Sequence, residues 1–530
     1  MSYPQELRRA APHALATSLA LVCGLGAATP PAEDRSAAEP PPADHAAFAQ
    51  EVLAATRGAS PLLCALAART VDGRFGGWGG FGPPATAADS SGALRWALTE
   101  RPDDAAVPVL LDALADPDDC TRAVATRLVA RSRTEAAVAG LMRALRSEAS
   151  GTRSAAAVGL GLADATAALD PLIEALRDVA GSVRVGAAWA LGVLDDLRAG
   201  PPLRLALADS DAPVRAGAAQ ALGRLEDTTA VQALARLLAN DPDAGVRVAA
   251  AGALGRLEHP GAVEPLARAL GTDRDVEVRR TAAWALGQTA NREAVRALSD
   301  ALPDADAEVR ETVTWALGQI EDKSAVPALI IRLREDDVAE VRDRAAWALG
   351  QIEDAAAVAP LGATLGGDAD REVRRTAAWA LGQIEDAAAI PALTAALSDA
   401  DPEVRRTAAW ALGQIESRES VEPLGAVLRN DADAETRQTA AWALGQLEDP
   451  TALPALQAGL RDANVEVRRT ALWAMTQLDG DAARDAYIEV LKSDDPELRA
   501  TAARALGRGS VNPQPRPRPR PMPRPFPPER

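Results

Sequence analysis

From residue 90 to residue 508 the chain returns to one pattern every 31 or 32 residues. A period of that size points to a stacked array of small units. The clearest unit, residues 387–416, reads AAAIPALTAALSDADPEVRRTAAWALGQIE. Its closing small residue recurs at Gly161, Gly192, Gly223, Gly255, Gly287, Gly318, Gly350, Gly382, Gly413, Gly445, Thr476 and Gly507, after two degenerate anchors at Thr99 and Ala130. Fourteen anchors enclose thirteen periods, so the array holds about thirteen repeats.

Each period divides into two short helices. The first, predicted over Ile390–Leu397, carries Pro391 in its opening turn, where no backbone N–H is needed. Pro108, Pro171, Pro265, Pro327, Pro360, Pro423 and Pro454 recur at the same place. The second, predicted over Glu403–Ile415, starts behind Asp401-Pro402, a capping residue followed by proline. On a helical wheel Val404, Ala408, Ala411, Leu412 and Ile415 share a sector of about 100°, the width of one core-facing stripe. A single pair of such alanine-rich helices buries too little surface to stand alone, so neighbours must stack. The fold class is therefore all-α, an α-α superhelix or solenoid with an N-terminal helical cap.

The motif VRRTAAWALGQIED (residues 373–386), with an aspartate ahead of it and this period, resembles the HEAT-like repeat of the phycobilisome-lyase type. The resemblance spans roughly residues 90–508. It implies the fold firmly and the function hardly at all, since such repeats occur in bilin lyases, in deoxyhypusine hydroxylases and in proteins whose repeats bind a partner.

An arginine recurs as Arg122, Arg153, Arg184, Arg215, Arg247, Arg279, Arg310, Arg342, Arg374, Arg405, Arg437, Arg468 and Arg499. An aspartate stands six residues before each, except where Ser147 and Ser493 replace it. Two readings are open. One is a ladder that binds anions. The other, which the resemblance implies, is a lattice of Asp–Arg hydrogen bonds tying the turns of adjacent repeats.

Trp189, Trp284, Trp315, Trp347, Trp379, Trp410, Trp442 and Trp473 occupy a single repeat position. The wheel places Trp410 about 140° from the centre of the apolar stripe, pointing away from the core with Arg406, Thr407 and Gln414. By the resemblance, the second helices line the concave surface. There the indoles either fold sideways between helices, with glutamines meeting their N–H groups, or serve as anchors for a partner, a role in which Trp and Arg are enriched. The candidate binding face is Trp284, Trp315, Trp347, Trp379, Trp410, Trp442 and Trp473 with Arg280, Arg375, Arg406 and Arg469.

The flanks differ from the array. Arg8 and Arg9 precede an uncharged run, Ala14–Ala28, that ends in small residues, as in a secretory signal. Residues 1–28 are therefore expected to be a leader and the chain exported to a periplasmic or extracellular space, with a cytoplasmic location as the alternative. Residues 29–46 form a Pro/Ala-rich linker, residues 47–89 a helical cap, and residues 509–530 a Pro/Arg-rich disordered tail. Within the cap, a helix is expected around Phe48–Arg69. The segment RFGGWGGFGPPA, residues 74–85, is expected to fold over the first repeat. With Cys23 in the leader, Cys64 and Cys120 remain, either as buried thiols or as one disulfide.

Charge and chemistry narrow the function. A formal charge of −18 argues against nucleic acid as the main partner. The three histidines, His13, His45 and His259, lie apart from one another, and none precedes a glutamate. The di-iron site that the hydroxylase resemblance would require is therefore missing. No zinc-peptidase, nucleophile-elbow or phosphate-loop motif occurs. The expected function is a non-catalytic scaffold that binds a protein or peptide on the concave face, without cofactor or metal. Two alternatives stand beside it: an enzyme or accessory of the bilin-lyase or hydroxylase type, and a regulatory arm working with a membrane protease.

Overall fold

The computed structural model describes residues 44–57, 101–478, 484–492 and 495–507. The leader, most of the linker, segment 74–85, Cys64 and the tail lie outside them. Of the expected cap, the helix His45–Thr56 is described, opened by Asp44, which accepts from the Ala47 N–H at 3.0 Å.

Among the described residues there are thirteen consecutive helix pairs and no strand, packed as an α-solenoid. They fall into two compact units, Met1–Leu257 and Glu258–Arg530. The first unit runs from Val107–Asp112 with Asp119–Ser132 to Val231–Asn240 with Ala244–Arg256. The second runs from Val263–Thr272 with Val276–Gln288 to Arg484–Val490 with Pro496–Gly507. Within each unit the second helices stack side by side. No helix among the described residues is long and apolar enough to cross a membrane.

The alternation between 31 and 32 residues has a structural cause. From Gly161 onward, periods of 31 hold a first helix of seven residues, such as Ile390–Ala396, and periods of 32 hold one of ten, such as Val421–Asn430. The core follows the wheel. Val404, Ala408, Ala411 and Leu412 are fully buried, with Leu393 of the first helix, while Ile415 is half-buried. Each buried leucine contributes about 1.5–3 kcal/mol, so one pair of helices holds too few to fold without its neighbours.

The closing Gln-Ile-Glu-Asp turns the chain back. Glu321, Glu353 and Glu385 take left-handed φ values of 54°, 52° and 55°, which ends each second helix. Asp322, Asp354 and Asp386 then cap the short 3-10 turn that opens the next repeat, accepting from N–H groups two residues on at 2.9, 2.9 and 2.8 Å. A non-glycine residue in that backbone region costs about 1 kcal/mol, and the cap offsets roughly as much.

The Arg–Asp ladder is a structural lattice. Arg310 donates through Nε and Nη2 to both carboxylate oxygens of Asp336, one repeat on, at 2.8 and 2.9 Å, and through Nη1 to the Asp304 carbonyl at 3.1 Å. Asp336 also accepts from the Val338 N–H at 3.1 Å, so one carboxylate both shapes its own turn and grips the neighbouring repeat. The same bidentate pairing joins Arg153 to Asp178 and Arg184 to Asp209 in the first unit, and Arg342 to Asp368 and Arg374 to Asp399 in the second. At Asp178 the Arg153 guanidinium holds the carboxyl below its usual range against the opposing effect of burial. Arg215, Arg279, Arg405 and Arg437 are occupied in the same bidentate way, and at these positions the anion-binding reading of the ladder gives way to the lattice.

Cys120 is disulfide-bonded, which corrects the buried-thiol reading for this residue.

Candidate functional site

The second unit carries one tryptophan per second helix from Trp284 to Trp473, and from Trp315 onward each ring rests on the second helix before it. A methyl carbon placed on Gly287, Gly318, Gly350, Gly382, Gly413 or Gly445 would stand 2.7–3.1 Å from Cζ3 of the next helix's indole. The repeat therefore needs glycine there to let the ring and the helix approach. Trp189 meets Gly161 in the same way in the first unit, at 2.9 Å.

This is the sideways fold that the sequence left open as one of two courses, although the wheel alone points the rings away from the core. Trp315, Trp347 and Trp442 are buried at 5, 6 and 6% exposure. Trp284, Trp379, Trp410 and Trp473 keep an edge in solvent. The expected Gln–indole pairing does not form at the C-terminal end of the stripe. The Trp442 and Trp473 N–H groups are buried without an acceptor, and Gln477 instead donates to Thr476 Oγ1 at 3.0 Å.

The four candidate arginines are already engaged with glutamates on their own helix or the next. Arg280 pairs with Glu277 and, at 3.1 Å, with Glu308 of the following second helix. Arg406 repeats this with Glu403 and Glu435, and Arg469 with Glu466 at 3.0 Å and Glu497 at 2.9 Å. Arg375 pairs with Glu372 at 2.7 Å. These pairs are partly solvated, so each contributes little to stability, and a partner's carboxylate can compete for the arginine at small cost. The glutamates were readable in the recurring Glu-Val-Arg-Arg spacing, yet only the arginines were singled out. Sequence reading also passed over Glu311, Asp343 and Arg344, where two adjacent repeats depart from the pattern.

The stripe thus presents indole edges alternating with Arg–Glu pairs, a surface suited to binding an amphipathic segment. Among the described residues no group of three or more His, Cys, Asp or Glu is placed to hold a metal ion.

A family model for HEAT repeats matches residues 107–192, 151–223, 200–276, 269–350, 326–400, 390–469 and 458–515. No curated protein matches the sequence. Among solved structures the chain is similar to Kap95p in its complex with RanGDP, at 14% identity and a TM-score of 0.55, covering 95% of this chain and 75% of that one. It is similar also to importin beta, at 16% identity and a TM-score of 0.52, covering 95% and 71%. At these identities the likeness speaks to the fold.

Proposed function

The chain belongs to the HEAT-repeat family, and from that premise we propose that it is a non-catalytic scaffold binding a protein partner along the tryptophan face of its second unit, on the concave side. One observation carries the proposal: four indoles, at Trp284, Trp379, Trp410 and Trp473, remain part-exposed, while Leu286, Leu381, Leu412 and Leu472 of the same helices are fully buried. Repetition sums contacts that are weak singly, and Trp and Arg are the residues that most often dominate binding energy. Kap95p, of the same fold, is itself described binding RanGDP. Within the family we assign the repeats to the phycobilisome-lyase-like type, an assignment of repeat type that carries no lyase activity.

The test uses the full chain as bait in extract of the native organism, beside a bait with Trp379→Leu and Trp410→Leu. Leucine keeps apolar cover over Gly350 and Gly382 while removing the ring edge, and circular dichroism melts check that both baits fold. Capture of one protein by the natural bait, with at least about tenfold less by the variant, is the expected result. Equal capture by both overturns the assignment of the face.

We also propose that the chain is exported. The leader pattern of residues 1–28 and the Cys120 disulfide both support this, since structural disulfides persist in oxidising compartments. Protein purified from its native source is expected to lack Met1 and to resist thiol alkylation at Cys120. An intact N-terminus with a freely alkylated Cys120 would overturn the proposal.

A further inference from the structure

A face made of near-identical repeats has a weakness as a binding surface: a partner can slide by one repeat and meet the same groups again. Something must break the symmetry if binding is to have one register, as a single buried polar residue does in a coiled coil. The second unit has such a break. In the helices around Trp284, Trp379, Trp410 and Trp473, the third and fourth residues before the tryptophan are Thr and Arg, and the Trp442 helix keeps the Thr and has the neutral Gln438 for the Arg. In the Trp315 helix (Ala307–Ile320) the arginine is replaced by Glu311, and in the Trp347 helix (Ala339–Ile352) the pair is Asp343-Arg344.

The structure places these departures together. Arg344 donates through Nη2 to Glu311 Oε1 at 3.0 Å, across the groove between the two helices, and its guanidinium lies 5.8 Å from the centre of the Trp347 ring. Its side chain is only 9% exposed, yet Nε and Nη1 have no hydrogen-bond partner. Beside it, Oδ1 of Asp343 is buried and equally unpartnered. Burial raises the Asp343 carboxyl above the ordinary carboxylate range, against the lowering effect of Thr376, Arg344 and Arg375. Leaving buried donors and an acceptor unpaired is costly, and the cost is concentrated at this pair: the consensus arginines Arg375 and Arg469 each leave only Nε unpaired, without an unpaired carboxylate oxygen beside it.

Resting on the scaffold reading above, we propose that Glu311, Asp343 and Arg344 form a register-setting locus that receives the side-chain carboxamide of an Asn or Gln in an extended protein segment lying along the tryptophan face. The unpaired groups select this chemistry. A carboxamide oxygen accepts from Arg344 while its NH2 donates to Asp343 Oδ1, so both kinds of orphan are satisfied by one neutral group. A carboxylate would meet Arg344 but be repelled by Asp343, and an ammonium would do the reverse. Arg344 must turn outward from Trp347 to reach the ligand. The hydrogen bonds made to the carboxamide offset the ring contact that this movement gives up.

The experiment pans a random-peptide display library on three full-length proteins: the natural chain; a variant with Glu311→Arg, Asp343→Arg and Arg344→Thr; and the Trp379→Leu, Trp410→Leu variant. The triple variant reproduces the Pro402–Gln414 pattern, with Glu308 and Glu340 placed to pair with the new arginines, and its melting curve verifies folding. Expected is a peptide set from the natural chain with Asn or Gln at one fixed position, binding the triple variant about tenfold or more weakly, the loss of a charge-assisted hydrogen bond. Equal binding to the triple variant overturns the locus. Selection of an acidic, basic or apolar residue at that position overturns the carboxamide assignment, and selection of no peptide overturns both. Peptides that bind the natural and triple proteins alike but lose the tryptophan variant would leave the scaffold reading standing without the locus. Peptides that lose only the triple variant would remove the scaffold reading and keep the locus.

Discussion

Asp336→Ala is expected to destabilise the second unit by about 3 kcal/mol, the low end of the range for stranding one partner of a buried ion pair. Asp336 is 1% exposed and Arg310 10%, so water does little to replace the lost carboxylate. The low end applies because Arg310 keeps a second acid, Asp337, at 3.0 Å. The Val338 N–H also loses its acceptor. Asp336→Asn, which keeps one acceptor oxygen, is expected to lose less. The measurement is denaturant unfolding at neutral pH. Acid supplies an independent check. At Asp336 burial raises the carboxyl, but Arg310 and the Val338 N–H outweigh it, and Asp178 and Asp462 are lowered chiefly by Arg153 and Arg437. A carboxylate with a depressed folded pKa stabilises above its unfolded value, near pH 4, and that contribution fades as pH falls through the lower folded value. The natural chain therefore weakens on acidification below about pH 4, and Asp336→Ala flattens that limb. An acid limb identical in both proteins would deny the ladder this role.

The repeat, both helices and the lattice were legible because each is written as a period. Thirteen copies of one pattern average away local ambiguity, and Asp six residues before Arg marks a turn tied to a helix. What stayed open was direction. A wheel places Cα–Cβ vectors but not the path of a long side chain, so the sequence left two courses for the indoles, and they take the sideways one, along the groove onto the preceding helix. The left-handed glutamates escaped for a related reason. Glu385 looks like an ordinary exposed helix residue, and only the Asp386 cap behind it reveals that the helix has already ended. The Arg–Glu pairing was half seen because the arginines were read as a face of their own. Glu311, Asp343 and Arg344 were hidden by the strength of the repeat itself, since an eye set on the period passes over the units that break it.

The anchor glycines make the sharpest claim about packing, and Gly350→Val is expected to cost about 3 kcal/mol, with Gly350→Ala costing about 1–2. Two effects oppose each other in the alanine variant. In a helix interior alanine is favoured over glycine by about 1 kcal/mol. Against this, the new methyl would lie 2.8 Å from Trp379 Cζ3 and 2.9 Å from both Cα and Cβ of Ala380. A ring can rotate, but the Ala380 backbone belongs to the packed core of the next helix and yields only by separating the two repeats. Overpacking therefore wins. Adding Trp379→Ala to Gly350→Ala relieves the ring contact and leaves the backbone one, so the double variant recovers only part of the loss relative to Trp379→Ala alone. Gly271→Ala is the control. Nothing lies within 4 Å of its added methyl, and there the helix preference acts unopposed, so that variant gains a few tenths of a kcal/mol up to about 1. Denaturant unfolding of these five variants beside the natural chain separates the effects. If Gly350→Ala were as harmless as Gly271→Ala, the close approach of the second helices would not be what holds adjacent repeats together.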